Sequence, residues 1–226
     1  NGARGIGDAS LGTANLIFLA LKSLELDRLV TDGERDHTFF VVEEPEAHLH
    51  PHVQRLVYRY FLGNAGNDEE DTQPLTTILT THSPHIASVT PIRSIVLLRH
   101  DASEETTIAV STAKAPLTQR DEADLQRYID VSRGEIFFAR GVILVEGDAE
   151  RFLIPAFAEV LDIPLDMLGI TVCSVSGTNF TPYVKLLGPQ GLNIPHVILT
   201  DRDPNGTKPP LVRRRLINVL RLFGDG

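Results

Sequence analysis

Short apolar runs that stop abruptly at carboxylates recur along this chain. Val142, Ile143, Leu144 and Val145 form one such run; Glu146, Gly147 and Asp148 follow at once, and Glu150 lies four residues after Glu146. Val197, Ile198 and Leu199 form another, in the segment HVILTDRDP, leading to Asp201 and Asp203. TFFVVEE is a third and ends in Glu43 and Glu44; PLTTILTTHSP, not itself an apolar run, reads as a further strand that ends at His82 instead of at an acid. An unalternating apolar run of this length predicts a buried strand of a parallel sheet. Open α/β sheets place their ligands at the carboxyl ends of such strands, where these acids fall.

Between the runs the periodicity changes to that of helices. Leu16, Ile17, Leu19, Ala20 and Leu24 predict one largely buried helix from Thr13 to about Leu29, with Ser10 or Thr13 as its cap. PEAHLHPHVQRLVYRYFL predicts an amphipathic helix carrying Leu49, Val53, Leu56, Val57 and Tyr60. GNAGNDEEDTQP reads as a loop, and SIVLLRH with TTIAVST as a hairpin. DEADLQRYIDVSRGEIFFA predicts a helix to about Ser132, broken at Gly134. From Gly141 onward a strand, a helix over 150–161, GITVCSVSG, a helix over 181–187, HVILTDRD and a helix over 211–222 alternate as βαβαβα. The expected class is therefore α/β with a mainly parallel sheet.

Composition narrows the function. The 226 residues carry a formal charge of −9, against passive binding to nucleic acid through a basic surface. A carboxylate-rich cation site alters that inference, because bound cations invert the local field. The single Cys173 excludes an internal disulfide framework and fits a reduced compartment, so a cytoplasmic setting is expected. No signal peptide is visible, and the stretch near LIFLALKSLEL is interrupted by Lys22 and too short to span a bilayer. The chain starts at Asn1 and is read as a fragment.

Two apolar strands that each end in two carboxylates predict a divalent-cation site for phosphoryl chemistry, because Mg²⁺ takes oxygen ligands in octahedral geometry. Surface acids are common at strand ends, so one carboxylate alone would say little; the paired pattern carries the inference. VSGTN, residues 175–179, offers Ser176, Gly177 and Thr178 as a phosphate-contacting turn or as a plain glycine turn. Arg213, Arg214 and Arg215 are equally a contact to a DNA backbone or a solvated helix face. His48, His50 and His52 do not predict zinc, because residues two apart on a helix face different ways.

E-G-D-x-E after one strand and D-x-D after another resemble a Toprim domain, the fold of topoisomerases, bacterial primases and several nucleases. VVEEPEAHLHP followed by TTHSPHIASV resembles the second half of an ABC-type ATPase head. An ATPase head followed directly by Toprim resembles the OLD (overcoming lysogenization defect) family of nucleases, and this order covers nearly the whole chain. The resemblance implies an ATPase lobe over 1–112, a linker helix over 113–140 and a Toprim nuclease domain over 141–226. It also implies catalytic and metal-binding roles for Glu146, Glu150, Asp201 and Asp203, with one or two Mg²⁺ or Mn²⁺ ions. In the ATPase lobe it implies that Glu43 holds Mg²⁺, that Glu44 is the base activating water, and that His82 contacts the γ-phosphate of ATP. Glu43 departs from the Asp usual at its position.

DASLGT resembles, loosely, the signature loop that meets nucleotide across a dimer, which gives Ser10 and Gly12 a nucleotide-binding role and implies an ATP-linked homodimer. G-x-x-x-x-G-K-[ST] does not occur in the sequence. In ABC heads it precedes the signature loop, so the segment by itself is expected to bind ATP weakly and not to hydrolyse it. The resulting expectation is a metal-dependent, ATP-dependent DNA endonuclease that acts in defence against phage or in DNA repair, with DNA and ATP as partners and no membrane. The alternatives are an ATP-gated DNA clamp or scaffold without catalysis, and another Toprim chemistry. A topoisomerase would need one of Tyr58, Tyr60, Tyr128 or Tyr183 to be presented to DNA.

Overall fold

A computed structural model describes residues 10–32, 37–62, 75–101 and 104–200. The chain divides into two compact units, Asn1–Val89 and Thr90–Gly226.

In the first unit the Ser10 hydroxyl caps helix α1 (Leu11–Thr31) by accepting the Thr13 N–H at 3.3 Å. Such a cap contributes about 1 kcal/mol. Strand β1 (Thr38–Glu43) pairs in parallel with β2 (Leu75–Thr80), and the register sets Glu43 opposite Thr80. Helix α2 (Pro51–Leu62) lies between them in sequence, and the short α3 (Pro84–Ala87) follows β2. The helix expected from Pro45 begins only at Pro51, and residues 45–48 form a turn. Proline restricts the residue before it to extended backbone, so His50 stops the helix from running further back. α1 is also less buried than its apolar density predicts: Leu19 is buried, whereas Leu11, Phe18, Leu21 and Leu24 are exposed. β1 departs similarly, burying Thr38 and Val42 and exposing Phe39 and Val41. Among the described residues this sheet has two strands, so β1 has a single strand neighbour.

In the second unit β3 (Val96–Asp101) and β4 (Thr106–Ser111) form the expected antiparallel hairpin. α4 (Gln119–Tyr128) opens on a capping box: the Thr118 hydroxyl accepts the Asp121 N–H, and the Asp121 carboxylate accepts the Thr118 N–H at 2.8 Å. The helix expected to reach Ser132 ends at Tyr128; Asp130 then caps a separate turn, α5 (Val131–Gly134), by accepting the Arg133 N–H at 3.0 Å. An Asp side chain offers the backbone this alternative to a continuous helix.

The remaining elements are β5 (Gly141–Val145), α6 (Asp148–Val160), α7 (Leu165–Leu168), β6 (Ile170–Ser174), α8 (Thr181–Leu187) and β7 (His196–Ile198). The strands form a parallel sheet in the order β6-β5-β7, with β5 in the middle. This central place explains the unalternating apolar run: Val142, Leu144 and Val145 are buried, as are Leu186, Leu187 and Leu192 beyond the sheet. Burying each such side chain contributes about 1.5–3 kcal/mol. α4 packs on α8, so the segment before the sheet belongs to the same core. The helix expected over 211–222 lies outside the described residues. Among those that are described, no helix is long and apolar enough to cross a membrane.

Candidate functional site

The side chains singled out in the sequence fall into two sets, one in each unit. In the second unit the set begins where β5 ends. Val145 pairs with Ser174 and Leu144 with Ile198, so the central strand delivers Glu146 between the ends of its two neighbours. On one side the Leu199 N–H donates to the Leu144 carbonyl at 2.9 Å, and the Thr200 hydroxyl donates to Glu146 Oε1. The chain approaching Asp201 is therefore held alongside Glu146. Asp201 and Asp203 themselves, like Arg213, Arg214 and Arg215, lie outside the described residues.

Glu150 is in the first turn of α6 and folds back, so that its Oε2 accepts the Gly147 N–H at 3.0 Å. A carboxylate there also complements the positive end of the helix dipole. Glu146 and Glu150 are both partly buried, whereas Asp148 is exposed. On the other side of Glu146, the loop after β6 closes on it. The Val175 N–H donates to the Val145 carbonyl at 2.9 Å, and the Gly177 N–H to the Glu146 carbonyl at 2.8 Å.

In chemical type the donors suit a hard divalent cation: one carboxylate follows β5, a second stands in the first turn of α6, and a hydroxyl orients the first. Cys173, paired with Leu144 on the neighbouring strand, is buried, and burial pushes its thiol up to about 12. Among the described residues no three His, Cys, Asp or Glu side chains cluster as a complete cation site.

The first unit collects its set at the ends of β1 and β2. Glu43 closes β1, and Glu44 follows in a left-handed conformation, φ 42°, its N–H bonded to the Thr80 carbonyl at 3.1 Å. A non-glycine residue pays about 1 kcal/mol or more to adopt that backbone, a cost that gathers at functional sites. His82 Nε2 lies 3.5 Å from Glu44 Oε1, and both side chains are exposed. Glu46 braces this pair: its Oε1 accepts the Thr81 hydroxyl at 2.7 Å and the His82 N–H at 2.8 Å. The Ser83 hydroxyl caps α3 and donates to Gln54 Oε1 on α2.

Ser10 and Gly12 have local roles at the start of α1. Ser10 is the cap described above, and a Cβ on Gly12 would stand 2.3 Å from the His48 carbonyl oxygen. Gly12 thus lets α1 approach the 45–48 turn, which carries Glu46. The His50 and His52 rings meet, with Nδ1 atoms 3.1 Å apart. The helical spacing that separated them in the sequence reading does not apply, because His50 precedes α2.

Thr200, Glu46 and Arg133 (which bonds Ser174 and Ser176) were not singled out from the sequence. The hydroxyl just before D-x-D was a signal for Thr200. Glu46 was visible only as part of PEAH, and nothing local marked Arg133.

Comparison with known proteins agrees with the order of the two sets. Residues 5–87 match the AAA ATPase domain model, and residues 137–203 match the model of the Toprim domain of overcoming lysogenization defect protein-like proteins. An OLD nuclease of Thermus scotoductus is 29% identical over 174 residues, which is 76% of this chain and 32% of the relative. Endonuclease GajA of Bacillus cereus strain VD045 is 24% identical over 200 residues, 84% of this chain and 29% of the relative. The chain thus spans about a third of the length of the curated relatives it matches. The solved C-terminal region of the Burkholderia pseudomallei OLD protein is 74% identical over an overlap of 38% of this chain and 43% of that one, with a TM-score of 0.37.

Proposed function

We propose, because this chain belongs to the OLD family, that it is part of an ATP-dependent DNA endonuclease whose cutting centre lies at the carboxyl end of β5. The observation that carries the proposal is the bond from the Thr200 hydroxyl to Glu146, which brings the residue before Asp201 against the first carboxylate of E-G-D-x-E. Glu146, Glu150, Asp201 and Asp203 then hold one or two Mg²⁺ or Mn²⁺ ions. Such ions, when bound, would polarise the scissile phosphodiester and lower the pKa of the attacking water.

The protein's own groups do the positioning. Thr200 fixes the direction of the Glu146 carboxylate, and the Gly177 N–H fixes its backbone. Glu150 is held by the Gly147 N–H at the start of α6. In the ATPase lobe Glu43 takes the metal side, Glu44 acts as base, and His82, braced by Glu46, reaches the γ-phosphate. Ser10 and Gly12 approach nucleotide from the second subunit of a dimer. ATP binding or hydrolysis then controls access of DNA to the cutting centre. The lobe extends over 1–112, the linker over 113–140 and the Toprim domain over 141–226. The setting is cytoplasmic defence against phage or DNA repair, and plaque counts on cells carrying the whole gene or its Glu146→Ala form separate the two.

Supercoiled-plasmid nicking by this chain and by Glu146→Ala, with Mg²⁺, Mn²⁺ or EDTA, tests the reading. Metal-dependent nicking that disappears in the variant is expected. Equal nicking by both would move the centre elsewhere. A scaffold without catalysis would nick under no condition, as this chain or as the full-length protein. The topoisomerase alternative is weakened at Tyr183, which is buried and whose phenol burial pushes upward, away from a ready nucleophile.

A further inference from the structure

Arg133 lies four residues before the matched Toprim segment, yet its guanidinium reaches Ser174 at the end of β6, the strand beside the one that leads to Glu146. Nε donates to the Ser174 carbonyl at 2.6 Å, Nη1 to the Tyr128 carbonyl at 2.8 Å, and Nη2 to the Ser176 hydroxyl. The side chain is only 14% exposed, with Asp130 Oδ2 3.5 Å from Nη1. Two of these bonds grip the loop that follows β6. That loop is costly to hold at one residue: Ser176 has φ 54°, a left-handed backbone that penalises any residue but glycine, and Gly177 beside it supplies φ 140° without that penalty. Its other attachments are the Val175 and Gly177 N–H groups on the carbonyls of Val145 and Glu146.

We infer that Arg133 is a positioning residue of the cation centre, acting through the 174–177 loop on Glu146 rather than by touching DNA. The guanidinium serves its two acceptors on the loop and one on Tyr128 from three separate nitrogens, whereas lysine would have to reach all three from one. The strained loop then keeps its N–H on the Glu146 carbonyl, and the Glu146 carboxylate keeps its aim. The centre therefore depends on a residue outside the matched domain, on the turn that links α4 to the sheet. This inference rests on the proposal that Glu146 holds a divalent cation.

The test is Mn²⁺ binding to the chain, followed by electron paramagnetic resonance of the free ion, beside plasmid nicking. Groups that orient metal ligands typically change affinity or activity about 10- to 100-fold when removed. Arg133→Gln is expected to weaken Mn²⁺ binding by about that range and Arg133→Lys by less, while Ser176→Ala, which spares the two carbonyl bonds, weakens it several-fold with an unchanged melting temperature. Asp121→Asn destabilises the same unit away from the loop and is expected to leave Mn²⁺ affinity unchanged. If Arg133→Gln fails to fold, Ser176→Ala decides: folded, with wild-type affinity, it overturns the inference. Equal weakening in Asp121→Asn would reduce Arg133 to general stability and overturn it as well. Wild-type chain that leaves millimolar Mn²⁺ free sinks the cation centre itself, a result distinct from wild-type binding with unaffected variants.

Discussion

Replacing Asp121 by alanine removes an ion pair that ties α4 to α8, and its cost follows from three bonds. Asp121 Oδ2 accepts the Lys185 ammonium at 2.7 Å, the Thr118 N–H at 2.8 Å and the Thr118 hydroxyl at 2.8 Å. The two charged side chains are 12% and 16% exposed, so neither is well solvated in the folded chain. Removing one partner of a buried pair costs about 3–5 kcal/mol, because the other charge is left uncompensated. Slight exposure puts this pair near the lower end, at about 3 kcal/mol, and the lost capping box adds about 1 kcal/mol. Asp121→Ala should therefore cost about 4 kcal/mol.

Lys185→Met leaves Asp121 with its two Thr118 bonds and should cost about 2 kcal/mol. The double variant should cost about 4 kcal/mol rather than the sum, a coupling of about 2 kcal/mol. Because the chain has two units, a single unfolding transition is not assumed. Hydrogen exchange in urea, followed in peptides covering 119–128 and 181–187, reads the local free energy instead. A cost below about 1 kcal/mol for Asp121→Ala, or strict additivity in the double variant, would refute the role given to this pair.

Acid should weaken the same unit. Burial acts to raise the Asp121 carboxyl, but the bonds from Lys185 and Thr118 outweigh it and hold it below the ordinary 3.8. Asp130 is likewise lowered, burial being outweighed by the Arg133 N–H, the Ser132 hydroxyl and the Arg133 charge. A folded carboxyl held low contributes stability that is complete above about pH 5 and is lost as pH falls through the lowered value. The urea midpoint should thus fall more between about pH 5 and pH 3 in wild type than in Asp121→Asn; parallel profiles would contradict the assignment. Gly12→Ala, which ordinarily strengthens a helix, should here destabilise the first unit by about 1–3 kcal/mol, because its Cβ meets the His48 backbone. Increased exchange in a peptide covering 45–49 is the readout, and an unchanged or stabilised unit would dismiss the close approach. Cys173 should resist iodoacetamide in the native chain and react fully in denaturant; native labelling would contradict its burial.

What the sequence disclosed follows from how local each feature is. β5 was legible because a strand buried on both faces needs no alternation, and E-G-D-x-E marks where it stops. The hairpin β3–β4 and helix α8 were legible for the same kind of reason, each being bounded by residues that break it. The start of α2 was misplaced because apolar spacing through PEAHLH imitates a helical turn, while the restriction that Pro51 puts on His50 decides the outcome. The exposure of α1 was hidden, since periodicity says which face is apolar and not whether anything covers it. Within the sites, Glu44, His82, Glu146 and Glu150 stood out as acids or a histidine at strand ends. Thr200 and Arg133 did not, because their partners Glu146, Ser174 and Ser176 become neighbours only through the register of the parallel strands.

The most direct measurement is backbone cleavage of the chain itself by Fe²⁺ with ascorbate and peroxide, the iron standing in for the native cation. Radicals made at a bound ion cut the polypeptide beside its ligands. The account predicts cuts near 146–150 and near 200–203 in the same molecules, both suppressed by excess Mg²⁺ and both lost in Glu146→Ala. Cuts confined to other segments, or cuts near 146–150 that survive that substitution, would contradict a cation centre built at the end of β5.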